Sequence, residues 1–172
     1  RRCQFLDSFA AVWYYEGNVR KSLHRYKFCR HPHLANGYGR MLAMALTESF
    51  PEGIDCLTWV PVSTLRRMKR GYDQSELLAR AVGRELQVPP RQLLKKVRNT
   101  RPQFRQTTPE QRRANVAGAF APFANQDLTG QRVVLVDDIF TTGATANECG
   151  RILLGMGAQE VHIATVAAAW HK

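Results

Sequence analysis

No two cysteines stand in the Cys-X-X-Cys spacing that structural zinc sites and redox motifs use. The four cysteines are instead spread irregularly over the 172 residues. This distribution is typical of reduced thiols in a cytosolic protein rather than of a disulfide framework, and we therefore expect a cytoplasmic protein. The four positions are Cys3, Cys29, Cys56 and Cys149.

Long apolar runs are missing as well. No segment approaches the roughly 18 apolar residues of a membrane-spanning helix, and no signal-peptide pattern stands at the start. We therefore expect no membrane span. Repeats are absent, and so is the glycine-rich phosphate loop that ends in Gly-Lys-Ser or Gly-Lys-Thr. The 44% hydrophobic and 23% charged content excludes a disordered or fibrous chain, and the length predicts one domain.

Acidic residues are scarce in the middle of the chain. The chain carries 25 Lys and Arg against 14 Asp and Glu, a net charge of +11. Residues 61–113 hold 14 basic and four acidic residues, so nearly all of the excess lies there. Such a surplus indicates an anionic partner: phosphate esters, nucleic acid or an acidic membrane. This stretch has only two aromatic residues, Tyr72 and Phe104, fewer than surfaces that stack single strands usually interleave.

The hydrophobic pattern predicts strands that alternate with helices. Apolar runs predict strands over 9–15, 54–62, 132–136 and 161–170, and helical spacing predicts helices over 19–28, 34–50, 74–86 and 144–156. Asp73 is expected to cap the third helix, with Glu76 at N3. Residues 98–111 have few apolar side chains and two prolines, which predicts a long loop. The alternation indicates an α/β fold, an open, mainly parallel twisted sheet with helices on both faces.

One segment carries the chemistry: residues 133–145 read Val-Val-Leu-Val-Asp-Asp-Ile-Phe-Thr-Thr-Gly-Ala-Thr. A buried strand ends in Asp137 and Asp138, and a hydroxyl-rich turn then opens a helix, whose N-terminus attracts a phosphate. Gly143 permits close approach of the backbone. The acids would repel the phosphate but suit vicinal ribose hydroxyls, because carboxylates accept hydrogen bonds from a diol. The other loop residues are Thr141, Thr142, Ala144 and Thr145.

This segment resembles the ribose-phosphate-binding signature of type I phosphoribosyltransferases, which has four apolar residues, two acids, two variable residues, Thr-Thr-Gly and a small or hydroxyl pair. The resemblance implies the type I phosphoribosyltransferase fold, binding of phosphoribosyl pyrophosphate (PRPP), and Mg²⁺ held mainly through PRPP rather than by a metal site of the protein. It implies that residues 141–145 hold the 5-phosphate. Asp137 and Asp138 would contact the 2- and 3-hydroxyls and, as catalytic residues, stabilise positive charge at ribose C1.

A second block, Arg-Gly-Tyr-Asp-Gln-Ser-Glu-Leu-Leu-Ala over residues 70–79, resembles the ComF/GntX-like competence-associated proteins, with Asp73 where Asn is more usual. Residues 23–28 and 107–120 resemble further blocks of that family. Its members often carry a cysteine-rich zinc segment at the N-terminus. The sequence lacks that segment, and Cys3 is expected to be its last remnant. The resemblance implies a role in DNA uptake and natural transformation, with single-stranded DNA or a helicase as partner.

The pyrophosphate side of the site is predicted from charge and from the same resemblance. Type I enzymes bind pyrophosphate in a loop after a strand equivalent to 54–62, and here a basic cluster follows that strand. Residues 98–113 resemble the flexible hood that closes over PRPP, where basic side chains would neutralise the departing pyrophosphate and closure would exclude water. The candidates are Ser63, Thr64, Arg66 and Arg67 after the strand, and Arg101 and Arg105 in the hood.

Three hypotheses about function stay open from the sequence. The first is a Mg²⁺-dependent phosphoribosyltransferase whose acceptor no motif identifies. The second is a non-catalytic DNA-uptake factor that acts on single-stranded DNA or a helicase partner, with PRPP binding vestigial or regulatory. The third is a purine or pyrimidine salvage enzyme. No change in thermal stability at millimolar PRPP would contradict the first, and an absence of DNA affinity at low salt would contradict direct DNA binding.

Overall fold

The computed structural model describes residues 3–29, 31–100 and 108–169, and its apolar runs form a central parallel sheet. Four strands lie in the order β1-β6-β5-β2, all parallel, and a separate antiparallel pair joins β3 to β4. Val133 at the start of β5 lies opposite both Val161 and Cys56, so β5 is paired on both sides. The strands are β1 (Ser8–Tyr14), β2 (Cys56–Trp59), β3 (Leu94–Lys96), β4 (Phe120–Pro122), β5 (Arg132–Phe140) and β6 (Glu160–Ala168).

Six helices connect these strands over the part of the chain that the structure describes. Asp73 caps the fourth helix as predicted, because its Oδ1 accepts hydrogen bonds from the backbone N–H groups of Ser75 (3.0 Å) and Glu76 (3.1 Å). None of the described helices is both long and apolar enough to cross a bilayer. The helices are α1 (Gly17–Phe28), α2 (Leu34–Ser49), α3 (Thr64–Arg70), α4 (Gln74–Leu86), α5 (Pro109–Val116) and α6 (Ala144–Gly155).

The two faces of the sheet carry different layers because side chains alternate along each strand. Val133 and Leu135 pack with α6 and with β3 and β4 in one hydrophobic cluster. Val134 and Val136 pack with α1, α2 and α4 in the other. Gly39 lies so close to Ala81 that an added Cβ would collide with it, so α2 and α4 depend on a glycine for their close packing. The predicted parallel sheet with helices on both faces is confirmed.

Several predicted boundaries were wrong, each for a local reason. The strand predicted over 132–136 continues to Phe140, since β6 pairs with β5 as far as that residue. The strand predicted over 54–62 is only Cys56–Trp59, and α3 follows it unpredicted. The loop and hood predicted to reach 111 and 113 give way to α5 at Pro109, because Thr108 and Gln111 form a capping box there.

Candidate active site

The carboxyl ends of β2 and β5 open into a cleft of about 610 Å³. In parallel α/β sheets ligands bind at this edge. Both predicted acids and the whole predicted phosphate loop line the cleft, and so does Arg66 of the predicted pyrophosphate group. The structure therefore brings together two parts of the predicted site that are about 70 residues apart in the sequence. The predicted residues on the wall are Arg66, Asp137, Asp138, Thr141, Thr142, Gly143, Ala144 and Thr145.

Three other predicted pyrophosphate residues do not line the cleft. Ser63 is buried, and its Oγ caps α3 by accepting a hydrogen bond from the backbone N–H of Arg66 (3.4 Å). Thr64 is exposed at the start of α3. Arg67 is exposed, and its Nη1 lies 3.5 Å from Oε2 of Glu76. The prediction overlooked α3, which uses Ser63 as its cap and directs successive side chains to different sides of the helix.

The two acids near the carboxyl end of β5 are held from different sides. Oδ1 of Asp137 accepts hydrogen bonds from the Ser75 hydroxyl at the start of α4 (3.0 Å) and from the backbone N–H of Asp138 (2.8 Å). Asp138 is 2% exposed, and its Oδ2 lies 3.0 Å from Nζ of Lys27 near the end of α1. Burial and the neighbouring carboxylate of Asp138 raise the pKa of Asp137, while Lys27 opposes that shift.

The phosphate loop is shaped by Gly143. This residue has φ +75° and stands directly before α6, in the left-handed region that favours glycine. A Cβ at this position would collide with the Cys3 thiol and the Phe140 ring. The first turn of α6 contains no acidic residue, so nothing in it offsets the positive end of the helix dipole. The loop thus combines a helix N-terminus with threonine hydroxyls at the cleft wall.

Several cationic side chains also line the cleft. Arg66 is partly buried, and its Nη2 donates a hydrogen bond to the carbonyl oxygen of Thr100 (2.8 Å). Lys96, the last residue of β3, also lines the cleft. Burial, followed by repulsion from Arg66, lowers the pKa of Lys96 to about 8. Anionic groups are therefore favoured near Arg66 and Lys96, whereas the acid pair favours hydroxyl donors. The other basic residues on the wall are Lys27, Lys69, Arg70 and Arg112.

The two predicted hood arginines, Arg101 and Arg105, lie outside the described residues. The structure does describe both sides of the predicted hood. β3 leads into it, and α5 and β4 lead out of it. Nη2 of Arg98 donates hydrogen bonds to the carbonyl oxygens of Asn115 (3.1 Å) and Ala117 (2.8 Å), which ties the two sides together. The antiparallel pairing of β3 with β4 holds this connection beside α6.

Sequence reasoning missed at least four residues of the cleft. Lys27 and Phe28 were noticed only as part of a family block, although Lys27 is the charge partner of Asp138. Ser75 lay in another such block, and no pattern indicated that its hydroxyl would reach Asp137. Lys96 was counted in the basic stretch without being assigned to the site. Asp73, predicted only as a helix cap, also accepts a hydrogen bond from the backbone N–H of Val62 (2.9 Å).

Metal-ligating clusters are not found among the described residues: no three His, Cys, Asp or Glu side chains come together there. The rings of His31 and His33 are 5.2 Å apart at their centroids, but they form no such group. All four cysteines are free thiols, and Cys56 and Cys149 are buried in the core. The acid pair alone is the nearest approach to a cation site in the cleft, and Lys27 already neutralises one of its members.

Comparison with known proteins yields a family and several relatives. The family described as "Phosphoribosyl transferase domain" matches residues 73–172. Competence protein F of Haemophilus influenzae is 29% identical over 172 residues, which cover 95% of this chain and 73% of that protein. Competence protein ComFC of Bacillus subtilis is 25% identical over 147 residues, with coverage of 86% and 58%. DNA utilization protein YhgH of Escherichia coli O157:H7 is 30% identical over 146 residues, with coverage of 82% and 63%.

This chain therefore spans between 58% and 73% of the length of these three relatives. The predicted resemblance to ComF-like competence-associated proteins is confirmed by these matches. The names of the relatives connect those proteins with competence and DNA utilization.

Solved structures similar to this one share its fold. One is described as the allosteric regulatory enzyme of purine biosynthesis, with a TM-score of 0.51 and 23% identity over 83% of this chain and 29% of that chain. Another is the glutamine PRPP amidotransferase of B. subtilis complexed with ADP and GMP, with a TM-score of 0.54 and 24% identity over 81% and 30%. At these identities the likeness concerns the fold alone, and the predicted phosphoribosyltransferase fold is confirmed.

Proposed function

Because the chain belongs to the phosphoribosyl transferase domain family, we propose that its cleft binds PRPP and transfers the phosphoribosyl group to an acceptor. In that reaction the bond from ribose C1 to pyrophosphate breaks, and the acceptor forms a new bond to C1. One observation carries the proposal. A phosphate loop, a pair of acids and several cationic side chains line the same cleft, and these are the groups that a phosphate, a ribose and a pyrophosphate require.

The phosphate loop is proposed to hold the 5-phosphate. The start of α6 offers backbone N–H groups without intrahelical partners, and the hydroxyls of Thr141 and Thr142 stand beside them on the cleft wall. Gly143 keeps the backbone open to the ligand because a side chain there would occupy the turn. These are neutral donors, which suits an end of PRPP that stays bound while the other end departs.

The acid pair is proposed to hold the ribose diol and to act on the charge that develops at C1. Ser75 and the Asp138 backbone fix Asp137, and Lys27 fixes Asp138, so both carboxylates keep their positions before a ligand arrives. Fixed dipoles and charges stabilise a transition state because they need no reorganisation during the reaction. As pyrophosphate leaves, negative charge beside C1 would stabilise its oxocarbenium character.

Magnesium is proposed to enter with PRPP. The described residues form no cage of three or more ligands, and the acids already accept hydrogen bonds or pair with Lys27. The donor set therefore fits a cation that pyrophosphate carries and that Asp137 and Asp138 at most touch. When bound, Mg²⁺ would neutralise charge on the leaving oxygens. On the protein side that task falls to Arg66, and to Arg101 and Arg105 of the hood.

A thermal-shift experiment tests the binding proposal. PRPP with Mg²⁺ at about 100 times its Kd should raise the free energy of unfolding by roughly 2.7 kcal/mol. The double variant Asp137→Asn/Asp138→Asn should lose that gain, because amides present an N–H₂ donor where the diol needs an acceptor. Glu52→Gln serves as the matched control, since its side chain is 87% exposed and pairs with Arg132 at the other end of β5. An unchanged melting temperature at millimolar PRPP would contradict the proposal.

Turnover needs a separate measurement. PRPP consumption and pyrophosphate release should be followed against a panel of purine bases, pyrimidine bases and amines. Release that depends on one acceptor would identify a transferase, and a base as that acceptor would identify a salvage enzyme. Binding without release for the whole panel would leave a PRPP-binding protein and contradict the enzymatic part of the proposal.

A second candidate function is a cytoplasmic DNA-uptake factor that acts on single-stranded DNA or with a helicase. The names of the relatives support it, and so does the basic α3, whose exposed Arg67 and Lys69 give a surplus beyond what one pyrophosphate needs. Affinity for a fluorescent oligonucleotide should fall steeply with salt, with a log–log slope of about −0.7 for each phosphate contacted. If no affinity appears even at low salt, direct DNA binding is wrong and only the helicase-partner form of this candidate survives.

A further inference from the structure

Lys96 is a partly buried cation of the cleft that has not yet been given a specific role. It ends β3, and its Nζ lies 4.9 Å from the centroid of the Phe120 ring on β4. The side chain reaches the cleft wall from the α6 side of the sheet, opposite the acid pair's partner Lys27. A lysine in such a place loses much of its hydration, which costs free energy unless an anion replaces the water.

The charged and titratable groups around Lys96 do not supply that anion. It faces Arg66 on α3, Arg98 in the chain after β3, Asp137 on β5 and the Cys149 thiol on α6. Among the described residues, neither Lys96 nor Arg66 has a carboxylate within ion-pair distance, and Asp137 is already held by Ser75 and the Asp138 backbone. Two cations thus repel each other across a cleft wall.

Such an arrangement is unfavourable in the free protein and favourable once a multivalent anion lies between the two cations. The 5-phosphate is not that anion, since its loop and the threonine hydroxyls lie at the start of α6. Pyrophosphate is the remaining anionic group of PRPP, and Arg66 already belongs to the predicted pyrophosphate side. We propose that Lys96 and Arg66 form the cation pair that binds the pyrophosphate of PRPP, with the ammonium group of Lys96 in direct contact with the pyrophosphate. This inference rests on the proposed function.

A dependence on pH follows from this role. In the free protein the pKa of Lys96 is lowered to about 8. A bound anion favours the ammonium form, so pyrophosphate binding takes up a proton near that pH and weakens as the pH rises through it. Between pH 7 and pH 9.5 the protonated fraction of a group with such a pKa falls about 30-fold, and the affinity should fall by roughly tenfold or more.

Calorimetric titration with inorganic pyrophosphate tests the proposal on the full chain. Lys96→Met should weaken binding at pH 7 by about tenfold or more and remove most of the difference between pH 7 and pH 9.5. Lys96→Arg should bind at both pH values, because a guanidinium stays charged. Lys95→Met is the control, because Lys95 is exposed and does not line the cleft, and it should behave as the wild type. All four proteins experience the same titration of the ligand itself.

A titration with ribose 5-phosphate, which lacks the pyrophosphate, distinguishes a failure of the Lys96 proposal from a failure of the proposed function. Its affinity should be the same in Lys96→Met and in the wild type, which also shows that the variant is folded. A Lys96→Met protein that binds pyrophosphate with the wild-type Kd and pH dependence would overturn the role of Lys96 and leave PRPP binding intact. If the wild type binds neither ligand, the proposed function and this inference both fail.

Discussion

Replacing Lys27 with methionine removes the counter-charge of a buried carboxylate. Asp138 is 2% exposed, and its Oδ2 lies 3.0 Å from Nζ of Lys27, whose side chain is 22% exposed. At an effective dielectric constant of about 20, two unit charges at this separation attract by about 5.5 kcal/mol. The desolvation of both groups offsets part of that attraction. Breaking a buried pair by removing one partner nevertheless costs about 3–5 kcal/mol, because the other charge stays behind.

We expect Lys27→Met to lower the free energy of unfolding by about 2–4 kcal/mol, near the lower end because the ammonium group is partly hydrated. Methionine keeps the length and most of the apolar surface of the lysine chain, so lost packing contributes little. The double variant Lys27→Met/Asp138→Asn should recover part of the loss, with a coupling energy of about 1–3 kcal/mol between the two positions.

Urea denaturation followed by tryptophan fluorescence measures both quantities, since a loss of stability shifts the midpoint without changing the slope. Lys21→Met is the control, because Lys21 is exposed on the same helix, and its effect should stay within about 0.5 kcal/mol. The reasoning is refuted if Lys27→Met changes stability as little as this control and the two substitutions add without coupling. In that case α1 would not hold Asp138 in place.

Three further predictions concern the cleft and the helix cap at the start of α4. Gly143→Ala should destabilise the protein by about 1–3 kcal/mol in urea titrations, because an alanine at φ +75° is strained and collides with Phe140. The same change should abolish ribose 5-phosphate binding, and binding at wild-type affinity would contradict this. Asp73→Ala should cost about 1–2 kcal/mol and Asp73→Asn much less, since asparagine also caps helices; equal losses would argue against the cap. The raised pKa of Asp137 means that its contribution to stability is complete at acidic pH and is lost as the pH rises through that pKa. The effect of Asp137→Asn on the free energy of unfolding should therefore be more favourable at pH 8 than at pH 5, by about 1 kcal/mol or more. Urea denaturation of both proteins at the two pH values measures this difference, and a less favourable effect at pH 8 would contradict it.

The sequence predicted those features that depend on neighbouring residues. The apolar run of β5, the acids that follow this run and the capped start of α4 all arise from local patterns, and the structure has all three, although β5 continues through the acids to Phe140. The start of α5 was missed for the opposite reason. Its few apolar side chains suggested a loop, although the capping box of Thr108 and Gln111, with Pro109 in the first turn, provides a local signal for a helix.

The partners of the acids could not be predicted in this way. Lys27 is more than 100 positions from Asp138, and Ser75 is 62 positions from Asp137. No local pattern connects such residues; the parallel order of the strands does, because it brings the carboxyl ends of distant segments to one edge. Likewise the partial burial of Lys96 depends on the pairing of β3 with β4. Each of these strands has only three residues, too few for a hydrophobic pattern to indicate a strand in the sequence.

The strand order has a consequence for biosynthesis. β1 lies at an edge of the sheet and pairs with β6, the last of the described strands to leave the ribosome. Through most of translation β1 therefore has no strand partner, and its apolar Phe9–Ala10–Ala11 surface needs protection from aggregation. Just before β1, the backbone N–H groups of Gln4 and Phe5 donate hydrogen bonds to Oδ1 of Asn147 in α6, at 2.7 and 3.0 Å. The segment before β1 therefore also finds its partner in a later part of the chain, and its contacts form only after α6 has been synthesised.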